Sequence, residues 1–331
     1  VTSIQQAAPI AKPSFADALS IYLSRRVLIV MFLGFSAGLP LALSGSTLQV
    51  WMTQAGVDLR TIGLFALVGT PYAVKFLWAP LVDAFEVPLL SRLLGRRRGW
   101  LVFSQLLLIA AIVFLAVCDP AASPSLVALG ALLVATASAT QDIVIDTFRV
   151  ESLGESEQAA GQASYVAAYR LGMLASTAGA LLLVTRFELL GLGPHRSWTA
   201  GYMMMAGLVL VGIATAIVAT EPEKSAAAER LHSGLTAFER LLTTVIGAFR
   251  DFFFREGVLT AATVLAFVVL FKFTDALAGT LTAPFVIDLG FSRDVYAVII
   301  KGVGLAAILV GGFAGGFVVR AFPLAASLWI G

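Results

Sequence analysis

Val27-Leu28-Ile29-Val30-Met31-Phe32-Leu33-Gly34-Phe35-Ser36-Ala37-Gly38-Leu39-Pro40 opens an apolar run that continues to Trp51. A helix needs about 20 mostly apolar residues to cross a bilayer, and this run supplies them. The pattern recurs along the chain. Working outward gives eight complete spans, at 27–51, 61–82, 100–118, 125–147, 159–184, 198–220, 257–281 and 294–319. A ninth begins near Leu324 and stops at Gly331. The sequence therefore predicts an all-α polytopic membrane protein with eight to nine spans.

Composition agrees. Of 331 residues, 59% are hydrophobic and 13% charged, against about 25% charged in soluble domains. A net charge of +2 is too small to suggest a nucleic-acid partner. Cys118 is the lone cysteine, so neither an intrachain disulfide nor a thiol metal cluster can form. His195 and His232 lie in polar stretches. That leaves little for a catalytic triad or a metal site, and neither an enzyme nor a cofactor is expected.

Loop charges set the expected orientation. With the N-terminus inside, fourteen Lys and Arg residues fall on the inner side and four on the outer: Arg60, Arg186, Arg196 and Arg293. Residues 1–26 then form a cytoplasmic segment and 27–220 a six-helix bundle. Residues 221–256 form the one long polar connection, and 257–331 begin a second bundle. Within the connection, Phe238, Leu242, Val245, Phe249 and Phe252 recur at helical spacing. They predict an amphipathic helix, either on the inner leaflet or packed on the cytoplasmic mouth. Ala55-Gly56-Val57-Asp58-Leu59-Arg60 and Leu289-Gly290-Phe291-Ser292-Arg293-Asp294 are similar loops 234 residues apart. They point to two six-helix halves, with the second half truncated here.

Two local patterns take structural readings. Gly34-Phe35-Ser36-Ala37-Gly38 matches a hydrolase elbow but sits mid-span with no intramembrane His. Gly34/Gly38 and Gly311/Gly315 fit small-xxx-small packing, in which helices approach closely. Pro40, Pro71 and Pro80 mark kinks or broken turns.

Charge inside the spans carries the functional signal. Each such residue costs about 2.5–3.5 kcal/mol at the centre of an inserted helix, so it is kept where it is paired or faces water. Asp142, Asp146 and Arg149 share one helical face of the fourth span, beside Gln141. Tyr165, Tyr169 and Arg170 lie on the fifth, and an Asp–Arg170 pairing would satisfy both charges. Lys272 and Asp275 are three apart on the seventh span. Lys75 and Lys301 could attract an anionic substrate or snorkel to an interface.

Asp83 followed by Gly95-Arg96-Arg97-Arg98 resembles the loop signature of the major facilitator superfamily. About eleven residues separate the Asp from the Gly, where the common signature has only a few. That departure is similar to AmpG-type permeases. More specific to that family are Gly34 to Pro40 with Gln49 and Trp51, and Ala55-Gly56-Val57-Asp58 with Thr61-Ile62-Gly63. Lys75-Phe76-Leu77-Trp78-Ala79-Pro80, Gln141-Asp142-Ile143-Val144-Ile145-Asp146 and Tyr169-Arg170-Leu171-Gly172-Met173 complete the match.

The resemblance implies a twelve-helix symporter, monomeric, in the bacterial inner membrane. It would import anhydro-muropeptides for peptidoglycan recycling, driven by protons, with a link to β-lactam resistance. Lys75, Arg170, Gln49, Gln141 and Tyr169 are the expected substrate contacts. Asp142, Asp146, Asp275, Arg149 and Lys272 are the expected proton or ion-pair groups. Asp83, Gly95, Arg96 and Arg97 form the expected gating loop. Rival readings are a transporter of another substrate (acetyl-CoA-like or a drug) and a non-transporting sensor.

Overall fold

The computed structural model describes residues 20–222, 237–255, 257–271, 273, 289, 303–322 and 326–327. All regular structure among the described residues is helical. Five helices there are long and apolar enough to cross a membrane, or six if one bent pair is counted as a span.

The first is interrupted. α1 (Arg25–Leu43) stops at Ser44 and resumes as α2 (Ser46–Gln54). Pro40 sits inside α1 and removes one ladder donor. The carbonyl of Leu43, at the interruption, accepts the Tyr202 hydroxyl at 2.8 Å. Nearby, Trp51 stacks on Trp198 with centroids 5.6 Å apart, and the Trp198 indole N–H donates to Gln54 at 2.9 Å. This aromatic knot marks one end of the bundle, the tryptophan end.

The stretch 61–82, expected as one span, is a chain of short pieces. α3 (Leu59–Leu64), a 3-10 turn (Phe65–Gly69), α4 (Thr70–Val74), a 3-10 turn (Lys75–Leu77) and α5 (Ala79–Ala84) follow one another. Pro71 and Pro80 stand in the first turns of α4 and α5, where a missing N–H costs nothing but the preceding helix must end. Asp58 caps α3 through the Thr61 amide and hydroxyl, at 2.9 and 2.6 Å. Those hydrogen bonds hold its carboxyl below the ordinary value.

α6 (Leu90–Leu94) is a short helix that leads into the regular spans α7 (Arg96–Val117) and α8 (Pro124–Ser152). α9 (Glu155–Leu174) runs through a π-turn at Ala175–Gly179 into α10 (Ala180–Leu189). α11 (Pro194–Val218) is the last of the five long helices. Beyond it lie α12 (Ala237–Phe254), α13 (Val258–Phe271) and α14 (Leu305–Ala321). α12 packs on α5 and α14 on α9. Starts of helices carrying Arg25, Arg26, Arg96, Arg97 and Arg98 gather at the second end, the arginine end.

The tightest seam joins α1 to α9. In lipid, helices associate through close packing rather than water exclusion, and glycine permits it. A Cβ on Gly34 would stand 2.6 Å from the Tyr165 carbonyl oxygen, and one on Gly38 2.8 Å from the Tyr169 carbonyl carbon. Gly172 returns the contact on Phe35 and Gly38. At Gly311 and Gly315 an added Cβ meets nothing within 4 Å among the described residues. Gly316 makes the approach instead, against the Tyr22 hydroxyl, which donates to the Phe313 carbonyl at 3.2 Å.

Candidate functional site

The broken second span delivers Lys75 to α8. Trp78, three residues on, ties this irregular stretch to α8 through its indole N–H, which donates to Thr140 at 3.2 Å. The Lys75 ammonium then lies 3.7 Å from Asp142 and 3.9 Å from Asp146. Arg149, one turn below, reaches Asp146 at 3.5 Å. From α9, Tyr165 offers its ring to the Arg149 guanidinium at 5.7 Å, and Tyr169 lies beside Tyr165 at 6.0 Å. Two carboxylates and two cations from two spans thus share one patch, walled by two tyrosines.

The patch is graded in exposure. The Asp142 side chain is 13% exposed, and that of Asp146 is 49%. A half-exposed carboxylate in a span is tolerable against water or a cationic partner, not against acyl chains. One Asp142 oxygen is buried without a hydrogen-bond partner, as is the Tyr72 hydroxyl, which faces Ser138, Ser44 and Asp142. Tyr72 was not singled out in the sequence, although it sits one turn before Lys75.

Arg170 does not join the carboxylates. Tyr169 takes the inward position, and the next residue turns about 100° away. Arg170 is exposed, and among the described residues its polar contact is the Met173 sulfur at 3.9 Å. Lys75 occupies the role expected of Arg170. Gln49 is also exposed, on α2 beyond the interruption. Gln141 is sealed in the bundle interior, with its amide 3.4 Å from the Ser36 hydroxyl. Beside it lies Gln105, fully buried and without a partner. Gly212 makes room there, since a Cβ would stand 2.8 Å from the Gln105 amide nitrogen. Lys272, Asp275 and Lys301 lie outside the described residues.

A second charge cluster occupies the arginine end. Arg97 is 4% exposed. Its guanidinium donates to both Glu151 oxygens, at 2.8 and 2.6 Å, and to Asp83 at 2.7 Å. Arg96 adds a bond to the Asp83 carbonyl at 3.0 Å and lies 3.6 Å from Glu151. The long spacing between Asp83 and Gly95 is taken up by α6, whose Ser91 backbone packs against Gly99. Arg97 thereby regains the reach to Asp83.

Glu221, just past α11, caps the start of α7. Its carboxylate accepts from the Arg97 and Arg98 amides at 2.8 and 3.0 Å, where a helix N-terminus favours negative charge. Arg98 answers by donating to the Ala216 and Ile217 carbonyls. Neither Glu151 nor Glu221 was predicted from sequence. A cavity of about 670 Å³ opens beside this cluster, lined by Arg25, Arg26, Phe148, Glu151, Gly154 and Glu221 among others.

Gly95 makes the cap possible. Its φ is +97°, and a Cβ would lie 2.5 Å from the Glu221 carboxyl carbon. Gly95→Ala is expected to lose about 1–2 kcal/mol, read as a lowered midpoint in thermal unfolding of the purified protein. Most of the loss should persist in a Glu221→Ala background, because the φ requirement remains. Complete disappearance there would assign the effect to the cap alone.

Comparison with known proteins places these features in context. The family model described as Major Facilitator Superfamily matches residues 30–331. The anhydromuropeptide permease of Escherichia coli K12 is 38% identical over 313 residues, covering 94% of this chain and 59% of that protein. A putative transporter AmpG 4 of Rickettsia felis is 35% identical over 298 residues, covering 90% of this chain and 68% of that protein. The chain thus spans about three fifths of the length of the E. coli relative.

Proposed function

The chain belongs to the major facilitator superfamily, a family of multi-pass membrane transporters, and on that footing we propose that it is a proton-coupled importer of anhydro-muropeptides working by alternating access. The observation that carries this is Lys75 held between a buried Asp142 and a half-exposed Asp146. An anhydro-muropeptide brings sugar hydroxyls and peptide carboxylates. A substrate carboxylate competes with the two aspartates for Lys75. The aspartate it releases is then left without its counter-charge and favours a proton. Loading substrate and loading a proton are coupled through one ammonium group.

The remaining assignments follow the same reading. Tyr169 is offered as a contact in the wall of the patch, Arg170, Gln49 and Gln141 as contacts reached as the site changes shape, and Arg149 as the group that steadies Asp146. Lys272 and Asp275 are kept as the corresponding pair of the second half. Asp83, Gly95, Arg96 and Arg97, with Glu151 and Glu221, act as a latch at the arginine end. That end is assigned to the cytoplasm of a bacterial inner membrane, on the excess of Lys and Arg in its loops.

The test is uptake of labelled anhydro-muropeptide by cells lacking their own permease and expressing the full natural reading frame. Uptake is expected, with collapse on adding a protonophore. Lys75→Ala should raise KM at least tenfold. Asp142→Asn should keep substrate exchange while losing uphill accumulation. Absence of uptake by a well-inserted protein would sink the muropeptide assignment and bring acetyl-CoA-like substrates forward. An unchanged KM in Lys75→Ala would remove the site assignment alone.

A further inference from the structure

Two buried polar atoms beside Lys75 have no hydrogen bond: the Tyr72 hydroxyl and the Asp142 Oδ1 oxygen. The first is a donor and the second an acceptor. Buried groups of this kind are costly to leave unpaired. Lys75 does not supply the missing bond, because its ammonium lies 3.7 Å from the other oxygen, Oδ2.

Register sets both groups against one helix. Tyr72 and Lys75 stand three residues apart on the second span, and Ser138 and Asp142 four apart on α8. Each pair is one step along a helix face. α4 and the 3-10 turn that follows it both pack on α8. The Tyr72 hydroxyl lies among Ser138, Ser44 and Asp142. Ser44 is engaged, donating to the Pro40 carbonyl at 3.0 Å. The two residues of the second span are anchored differently. The Tyr72 ring packs against the bundle core, which holds it in place. Lys75 opens a 3-10 turn, whose hydrogen bonds are the weaker kind. When Lys75 moves off Asp142, the tyrosine stays beside it.

We propose that Tyr72 is a positioning residue of the Lys75 site: its O–H donates to Asp142 Oδ1 once Lys75 turns to a substrate carboxylate. Oδ2, the oxygen that faced Lys75, is then the one left to take the coupling proton. That proton comes from the outer solution, and Lys75 keeps its own. Oδ1 accepts a hydrogen bond whether the carboxyl is charged or neutral, so the bond survives loading. Among the described residues, Lys75, Asp146, Tyr165 and Tyr169 are the other charged or titratable groups around Asp142. None of them donates to Oδ1. The role of Tyr72 in coupling rests on the transport reading; the hydrogen bond itself does not.

The first arm of the experiment uses no substrate. Full-length protein carrying isotope-labelled tyrosine is reconstituted in vesicles, and subtraction of the Tyr72→Phe spectrum isolates the infrared C–O stretch of Tyr72. In Lys75→Ala this band should move to the position of a hydroxyl that donates to a carboxylate. Asp142→Leu in that background should move it back. A band that stays in place in Lys75→Ala, or that ignores Asp142→Leu, would overturn the proposal. The second arm measures transport, in a variant that keeps the ring. Tyr72→Phe should hold the KM for anhydro-muropeptide exchange within about twofold, because Lys75 is untouched, while proton-driven accumulation falls several-fold. Accumulation equal to that of the parent would defeat the proposal. So would a KM raised as in Lys75→Ala, which would make Tyr72 a substrate contact instead. A parent protein that carries no muropeptide but shows the infrared change would lose the transport reading and keep the Tyr72–Asp142 bond.

Discussion

Gly38→Val should leave little folded protein, with a loss of more than about 3 kcal/mol, beyond the usual 1–3 kcal/mol for an overpacked core. The reason is that the obstruction is backbone. A Cβ at this position would stand 2.8 Å from the Tyr169 carbonyl carbon and 3.0 Å from its Cα. A side chain could rotate aside, but a helix backbone must be pushed off bodily. Gly34 and Gly172 lie in the same seam, so α1 and α9 would part along several turns and drag Tyr165 and Tyr169 from the Lys75 patch. Unfolding in graded detergent, followed by circular dichroism, measures this. A Gly38→Val protein that unfolds within the range of the parent would refute the account of the seam. Gly63, where a Cβ meets nothing within 4 Å, supplies the control, and Gly63→Ala should be nearly neutral.

Arg97→Met should cost about 2–4 kcal/mol. Breaking one partner out of a buried ion pair costs about 3–5 kcal/mol, because the other charge is stranded. Here the figure is discounted, since Glu151 and Asp83 are each about one third exposed and Arg96 remains near. Glu151→Gln in the same background should recover part of the loss, since it removes the stranded charge. A double-mutant cycle on thermal unfolding then gives a coupling of about 1–3 kcal/mol. Strict additivity would show that the guanidinium and Glu151 do not depend on each other.

Much of the fold was legible because hydropathy is a direct record of what faces lipid. The runs at 27–51, 125–147 and 159–184 lie inside long helices, and those at 100–118 and 198–220 overrun theirs by one and two residues. Their ends were not legible. Helices such as α8 run on to Ser152, because Glu151 is met by Arg97 from another span and Arg149 pairs with Asp146 one turn back. The run 61–82 was apolar enough to cross but gave no ladder, since Pro71 and Pro80 each force a new start. The prolines were visible; the 3-10 turn that aims Lys75 was not.

The site was legible in kind and less so in pairing. Intramembrane charge identified Lys75, Asp142 and Asp146, but spacing along a sequence does not say which neighbour a helix face meets. The Asp–Arg170 pairing was the alternative that helix rotation rejected. Gln105 was a lone amide within an apolar span, and that signal went unused. Glu221 carried none, since only folding brings it to a helix start more than a hundred residues earlier in the chain.

The interruptions share one level of the bundle. The α1–α2 gap and the π-turn after α9 are joined by the Thr47 hydroxyl, which donates to the Ser176 carbonyl at 2.7 Å. The 3-10 turn at Phe65–Gly69 also lies on the tryptophan side of Lys75. Below that level α1 and α9 touch backbone to backbone, and the ends are tied by ion pairs. Such a body has unequal compliance along its length. Towards the tryptophans the breaks in the helices leave torsions free to adjust in small steps, around a buried aromatic knot, which favours a graded response. Towards the arginines it is rigid until a handful of charges separate together, a threshold response. One end bends and the other snaps.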